Sequence, residues 1–499
     1  MKTKERQSIW SPFLISMLFM LLLFGSFMQP HYSSDSYANL YNIDVAVHIR
    51  NGRIVSAVVQ KIMNFLKFNP VRHQSLTIAV SLCVLAFCIS LIYLEIRPYL
   101  RGKQTAQILV LLSLQLIFAN VFFAEWLMYV ESMTSTCVGL LILTIAIILA
   151  GRELTWLHLL LSFVLLLVVL NMYQLYVEFY LTLSLIIVYA RAGGLLNKQA
   201  FLHSVIVVAI AAVACILTIV FQPMLPKLFG LTSGDRKAVF GIDLLLLNLQ
   251  SITNSQKSII LNACQLLPNS VLPVVFLVLA IVMLRECFRS GDLVNRIGYN
   301  VIAVLMIALL TYAPHIVSSV VWLAPRTLVG VFHIPMYMAI SIGVTQAWVP
   351  EKKSRAGKLT IAVIAIFLLV NAYASNGILS NAIANNRIDQ YCARSIQEKI
   401  EQYQDKTGIK VKKIGICNDD SPIYRYPGIQ YVTHDLNIRA LNVQWAQSYL
   451  INFYCSTDYE NIEIPSEIYK TYFANKNWDF LNLDEQAVFV GDTLYLAMY

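Results

Sequence analysis

The side chains most able to do chemistry in this chain stand at the ends of its apolar runs. The first such end reads Gln29-Pro30-His31-Tyr32-Ser33-Ser34-Asp35-Ser36-Tyr37. Asp35 falls a few residues past an apolar run, where a carboxylate facing a pocket can act as a general base. A second reading makes it a helix N-cap, because Ser-Ser-Asp is a common helix start; the two are compatible if Ser34 is the cap. A second cluster, Phe123-Ala124-Glu125-Trp126-Leu127-Met128-Tyr129-Val130-Glu131, sets two carboxylates around two aromatic residues. Acidic groups this close to an apolar run are costly unless they face a polar cavity, the alternative being a solvated loop with an aromatic belt. The third cluster, Ala324-Pro325-Arg326-Thr327, follows His315 by a few residues. Arg326 either snorkels to the interface or serves an anion.

The elements around these clusters are those of a membrane protein. The chain has 499 residues, 58% hydrophobic and only 13% charged, with a mean hydropathy of +0.64. A soluble domain carries about 25% charged residues, so lipid must form part of the solvent of this chain. A span needs about 20 apolar residues. About eleven runs qualify, near 10–28, 75–96, 105–123, 133–150, 155–170, 175–190, 200–221, 266–285, 297–314, 327–348 and 359–375. The first resembles a signal peptide, but its apolar stretch is long and no A-x-A site follows, so it reads as an uncleaved span.

Orientation follows from the basic loops. With Lys2, Lys4 and Arg6 inside, the other inner loops carry Arg97, Arg101 and Lys103; Arg152; Arg191 and Lys198; Arg285, Arg289 and Arg296; and Lys352, Lys353, Arg355 and Lys358. The short outer loops near 124–132 and 171–174 carry none, as the positive-inside rule requires. The net charge of +9 is therefore assigned to inner loops and lipid headgroups; no nucleic-acid motif is present. Segments 29–74, 222–265 and 376–499 then lie outside.

In the first outer segment Tyr37, Tyr41, Asp44 and His48 share one helical stripe beside Leu40, Ile43 and Val47, which predicts one amphipathic helix in the interface. Asn51-Gly52 ends it, and Arg53 opens a second helix to about Phe68. Glu178, close to Tyr173, Gln174 and Tyr176, is expected to face protein, not lipid. The tail, rich in Asn, Asp, Lys and Tyr, reads as a small α/β domain with a helix over 384–403 and strands at Lys413–Cys417 and Ala487–Val490. Of nine cysteines, Cys83, Cys88, Cys215 and Cys287 read as small hydrophobes; Cys392, Cys417 and Cys455 allow at most one disulfide in the tail, and nothing suggests zinc.

An acidic residue just after the first span, an interfacial helix, and Asn-Gly-Arg opening a second helix resemble the serotype-converting, O-antigen-modifying glucosyltransferases of the Gtr type. The resemblance covers about 10–350 in span number and loop order and is most specific in the first loop. That family has the GT-C fold and uses polyprenyl-phosphate sugars. It usually carries two adjacent acidic residues where this chain has Ser34-Asp35, so a two-carboxylate mechanism or a metal held by such a pair is not implied. The resemblance implies Asp35 as base and Arg326, with Arg53, as the cations for the donor phosphate, Arg having the planar fork that suits phosphate. Asp44, Glu125, Glu131, Tyr173, Gln174 and His315 are then candidates for binding substrate.

The expectation is an all-α polytopic membrane protein of about eleven transmembrane helices, GT-C-like over 1–375, with a C-terminal extracytoplasmic α/β domain over 376–499. It would move a hexose, glucose by the resemblance, from a polyprenyl phosphate to a cell-envelope glycan outside the cytoplasmic membrane. The lipid-linked sugar is a substrate and no cofactor is implied; the divalent-metal question stays open. Two rivals are a flippase for lipid-linked sugars, which calls for mid-bilayer polar residues and broken helices in matched halves, and a non-catalytic glycan-binding scaffold.

Overall fold

The computed structural model describes residues 8–41, 43–232, 234, 241–290, 293–348, 355–419, 425–427, 436 and 438–499. Lys2, Lys4, Arg6, Lys352 and Lys353, used above for orientation, lie outside the described residues. The chain divides into two compact units. One comprises Met1–Met28, Asp44–Leu127 and Ser132–Asn376; the other comprises Gln29–Ile43, Met128–Glu131 and Gly377–Tyr499.

The first unit is helical; each apolar run predicted above falls largely on helix, but 105–123 is broken before Val121–Met128, the helix of 266–285 begins at Val271, and 359–375 and the separately predicted 384–403 belong to one helix, Arg355–Thr407. Among the described residues seven helices are long and apolar enough to cross a membrane, or eight if the bent pair Gln104–Ile117 and Val121–Met128 is one span. The helices Trp156–Leu170, Tyr176–Arg191 and Gly330–Trp348 fall outside that number. The first two of these are short, at 15 and 16 residues. The second and third are buried along nearly their whole length. A helix surrounded by other helices can carry Glu178, His333 and Ser341, which a lipid-facing helix could not afford.

The bent pair shows how a span is broken in an apolar setting. Breaking a helix frees backbone N–H groups that lipid cannot satisfy. Here the Asn371 Oδ1 accepts the Val121 N–H at 2.9 Å, and the Asn120 Oδ1 accepts the Phe123 N–H at 2.9 Å. The two halves meet at 45°.

Two local expectations are corrected. The single interfacial helix over 37–48 is two short helices, Ser34–Asn39 and Val45–Arg50. Asp44 breaks the run, since its carboxylate accepts the Ala46 N–H at 2.8 Å and caps the second helix. The Asn51-Gly52 stop holds, with Gly52 at φ +67°, and Ile54–Phe65 follows with Arg53 at its N-cap position. The segment 222–265, read as loop, contains the helix Ile242–Asn262. Its second half is crowded with Asn, Gln, Ser and Thr, which hides the helical period.

The second unit contains a four-stranded sheet in the order β2-β1-β4-β3, with β1 Lys413–Asn418, β2 Glu460–Ile462, β3 Ala487–Val490 and β4 Thr493–Met498. β1 runs parallel to β2 and β4, and β3 closes on β4 as an antiparallel hairpin. Every residue of β4 is buried, as expected of a strand covered on both faces. Arg439, with no accessible surface, ties this unit together. Its guanidinium donates to the Tyr499 main-chain oxygen at 2.7 Å and to the Tyr426 hydroxyl at 3.3 Å. Asp389, on the helix Arg355–Thr407, accepts the Ala440 N–H at 2.8 Å. Burial works against the Arg439 charge, but Asp389, Tyr499 and Tyr426 outweigh it, so its pKa stands above the usual guanidinium value. All nine cysteines are free thiols.

Gly330 marks the tightest point of the first unit. A methyl group there would lie 1.9 Å from Glu178 Oε1 and 2.2 Å from Thr311 Oγ1. Gly330→Ala is expected to cost about 1–3 kcal/mol by overpacking. Gly298→Ala, where a methyl meets nothing within 4 Å, should be neutral or better by about the helix-propensity gain of 0.8–1 kcal/mol. Thermal unfolding of the detergent-solubilised proteins checks both; equal melting temperatures for the two variants would contradict the packing.

Candidate active site

In the first unit the chemistry gathers on the lower half of the broken span, Val121–Met128, and on the turn Pro325–Thr327 before Gly330–Trp348. Glu125 has no accessible surface. One carboxylate oxygen accepts the Arg326 backbone N–H at 2.6 Å, and the other pairs with the Arg326 guanidinium. The next residue, Trp126, donates its indole N–H to the Arg326 carbonyl at 2.7 Å. Two consecutive residues of one helix therefore grip the main chain of Arg326 from both sides, and Glu125 also orients its side chain. A carboxylate buried in apolar surroundings is tolerated only with such a partner.

The aromatic residues extend this cluster. Trp126 packs edge-on against Tyr173, with ring centroids 5.2 Å apart, and Arg53 sits over the other ring of that pair, 4.8 Å from the Tyr173 centroid. Arg53 is brought there because its helix is pinned to the short connection 171–174. The Val55 N–H reaches the Asn171 carbonyl at 3.3 Å, and the Ser56 hydroxyl reaches the Met172 carbonyl at 3.3 Å. In the same connection the Gln174 Nε2 is buried without a hydrogen-bond partner among the described residues, which is costly unless a ligand supplies one. His315, in the last turn of Leu293–Ile316, points its Nε2 at the Thr327 carbonyl at 3.4 Å, a long contact that places it beside the Arg326 turn. The first unit thus brings Arg53, Glu125, Tyr173 and Arg326 together. Asp44 is the exposed cap described above. Near Asp44, the His48 pKa is lowered to about 4 by burial and by Arg53, against the opposing pull of Asp44, so its imidazole is neutral at pH 7.

A second buried pair was not foreseen as a pair. His333 Nδ1 lies 3.1 Å from Glu178 Oε1, both essentially without solvent access, and the His333 ring packs edge-on against Phe179. Glu178 does face protein. His203 is a satisfied core histidine, 2.7 Å from the Ala150 carbonyl.

In the second unit Ser33, not Ser34 or Asp35, caps the helix Ser34–Asn39. Ser33 and Ser36 form a reciprocal capping box. Asp35 stands in the first turn, and its Oδ1 accepts the Trp445 indole N–H at 3.0 Å. Glu131 accepts hydrogen bonds from the Ser36 hydroxyl at 3.0 Å and the Ser33 hydroxyl at 3.4 Å. These serines flank Asp35 in sequence, and the Asp35 and Glu131 carboxylates act on one another electrostatically. Among the described residues no group of three or more His, Cys, Asp or Glu is arranged to hold a metal ion. Trp445 carries no sequence signal for its role, since it lies 410 residues from Asp35. The Ser33 cap could have been found from the Ser-x-x-Ser spacing.

A family model described as Glucosyl transferase GtrII matches residues 23–345, a stretch that includes Asp35, Arg53, Glu125, Glu131 and Arg326 but not Trp445. No curated protein and no solved structure matches the chain. The match spans more than half of the 499 residues, and the chain belongs to the GtrII glucosyl transferase family.

Proposed function

We propose that this membrane glucosyltransferase takes its glucose from a polyprenyl phosphate and transfers it to a cell-envelope glycan on the outer face of the cytoplasmic membrane. The observation that carries the reading is the Arg326 turn, gripped by Glu125 and Trp126, with Arg53 over the neighbouring Tyr173. Two cations beside aromatic rings suit a sugar joined to a phosphate. The rings can cover the apolar face of a hexose, and guanidinium groups hold phosphate oxygens.

The reaction is a displacement at the sugar C1. An acceptor hydroxyl attacks C1 while its proton passes to the Asp35 carboxylate, and the C1–O bond to the phosphate breaks. The lipid phosphate leaves with the bonding electron pair, and Arg326 and Arg53 offset the charge it gains. Glu125 acts as a positioning residue for Arg326. Tyr173, Gln174 and His315 are proposed to contact the donor, and Glu131 to assist at Asp35. Among the described residues one bent helix pair occurs, which gives no support to a transporter built on matched broken helices.

Orientation is tested by labelling. In a cysteine-free background, Lys476→Cys, exposed on the tail, should react with a membrane-impermeant maleimide in intact cells. Reaction only after lysis would reverse the topology.

Asp35→Asn should reduce transfer by about 10²–10⁴-fold, the usual worth of a general base, while the melting temperature holds, because Ser33 makes the cap. Near-normal turnover in this variant removes Asp35 from the chemistry.

For Arg326 the structure adds a third possibility to donor binding and snorkelling, a purely structural ion pair. Arg326→Ala would strand Glu125 in an apolar setting at a cost of about 3–5 kcal/mol, so it cannot separate these roles. Arg326→Lys keeps the charge beside Glu125 and the backbone N–H, and loses only the planar fork. The expectation is a stable protein with a donor KM raised about tenfold, a loss of roughly 1.4 kcal/mol. Wild-type donor dependence in Arg326→Lys would move the phosphate site elsewhere.

A further inference from the structure

The tail holds a feature that the transfer chemistry does not use. A cleft of about 560 Å³ opens in the second unit, lined in part by Gln444, Asn461, Glu463, Ser466, Tyr469 and Lys470. Its floor comes from the second half of β1, at Ile416 and Cys417, and from the end of β2 and the residues just after it. β1 and β2 are parallel neighbours. The crevice beyond the carboxyl ends of parallel strands is where open α/β sheets bind ligands, because the chain leaves the sheet there in separate loops. The volume falls within the range of about 300–1,000 Å³ typical of small-molecule sites.

The wall carries a second, independent mark. The helix Ser466–Ile468 runs into a π-helical turn, Tyr469–Phe473. Such turns are rare and are found frequently at functional sites. Here the widened turn begins at Tyr469 and Lys470, both on the cleft. On the opposite side Gln447 is buried and fixed by hydrogen bonds to Asn418 Oδ1 at 2.6 Å and to the Leu441 carbonyl at 2.7 Å. Gln447 is thereby tied to β1, while Gln444, Asn461, Glu463 and Lys470 are exposed on the cleft.

The chemistry of the lining selects a ligand class. Amide, carboxylate, hydroxyl and ammonium groups and one phenol ring share the lining with Ile416, Cys417, Ile462 and Ile464, and the polar groups carry both signs of charge. This is poor for a lipid chain and unselective for an anion. It suits vicinal hydroxyls, which donate to Glu463 and the Asn461 and Gln444 carbonyls and accept from Lys470 and the amide nitrogens. An aromatic ring offers its apolar face to the C–H face of a sugar. We infer that this cleft is a glycan-binding site that holds the polysaccharide acceptor. The inference rests on the proposed transfer to an envelope glycan, and adds that the tail recognises the acceptor apart from the residues that carry the chemistry.

The test uses the full chain in lipid nanodiscs and envelope polysaccharide from the source cells, freed of lipid by mild acid. The variant Asn461→Ala/Glu463→Gln/Tyr469→Ala changes side chains on the cleft; Lys476→Ala, on the surface elsewhere in the tail, is the control. Unfolding temperatures verify that both fold, and Tyr469→Trp keeps an aromatic platform. The expected result is a polysaccharide KM and a directly measured Kd raised about tenfold or more in the triple variant, with donor KM and kcat at saturating polysaccharide unchanged. Tyr469→Trp and Lys476→Ala should bind as wild type does. Unaltered KM and Kd in the triple variant, or no binding by wild type, overturns the site. Binding by wild type that the triple variant loses, without glucosyl transfer by either, would uphold the cleft while sinking the proposed reaction.

Discussion

Glu125 is a carboxylate with no accessible surface on a helix that otherwise reads Val-Phe-Phe-Ala-Trp-Leu-Met. Such a group persists only if a cation and donors reach it, and the Arg326 guanidinium and backbone N–H both do. This requirement holds the short Pro325–Thr327 turn against the broken span, and with it the start of the Gly330–Trp348 helix. Trp126 adds a bond to the same turn and carries the aromatic contact to Tyr173. The geometry proposed for the donor is thus a consequence of neutralising one buried charge. A buried ion pair is weak evidence for stability, because apolar residues of the same volume often pack as well in its place.

The same economy governs the break above it. A bent span exposes backbone donors to a medium without water, and Asn120 and Asn371 receive them. Polar side chains inside this unit therefore fall into two kinds. Some, such as Asn120, Asn371 and His203, complete the backbone. Others, such as Glu125, Arg326, Glu178 and His333, pair with one another. Gln174, through its amide nitrogen, belongs to neither kind and shares this with the hydroxyls of Thr182, Ser184 and Ser375.

The second unit solves a different problem, since it is built around a sheet. Arg439 plays there the part that Glu125 plays in the first. It is a buried charge whose partners come from a long helix, a loop and the residue just after β4, so that one ion joins three segments. With that core held, the edge formed by β1 and β2 is left to line a cleft. Asp35 is set in this unit beside the Ser33–Ser36 capping box, and its carboxylate accepts the Trp445 indole N–H.

What the sequence determined by itself is what period, composition and local spacing control. The apolar runs became helices at the expected places, the Asn51-Gly52 stop held, and two tail strands began where alternation put them, because burial against lipid or a sheet follows directly from side-chain type. The first-loop resemblance was enough to reach the family. Local patterns failed where a short side chain competes with the period: Asp44 split one helix, and a polar run masked another. Tertiary structure alone decided the partnerships. Nothing near Glu125 in the chain announces Arg326, 201 residues away, nor does anything near Asp35 announce Trp445 or Glu131. Such contacts depend on how helices and loops pack in three dimensions, and the free energy of pairing a buried charge is gained only after that packing has formed.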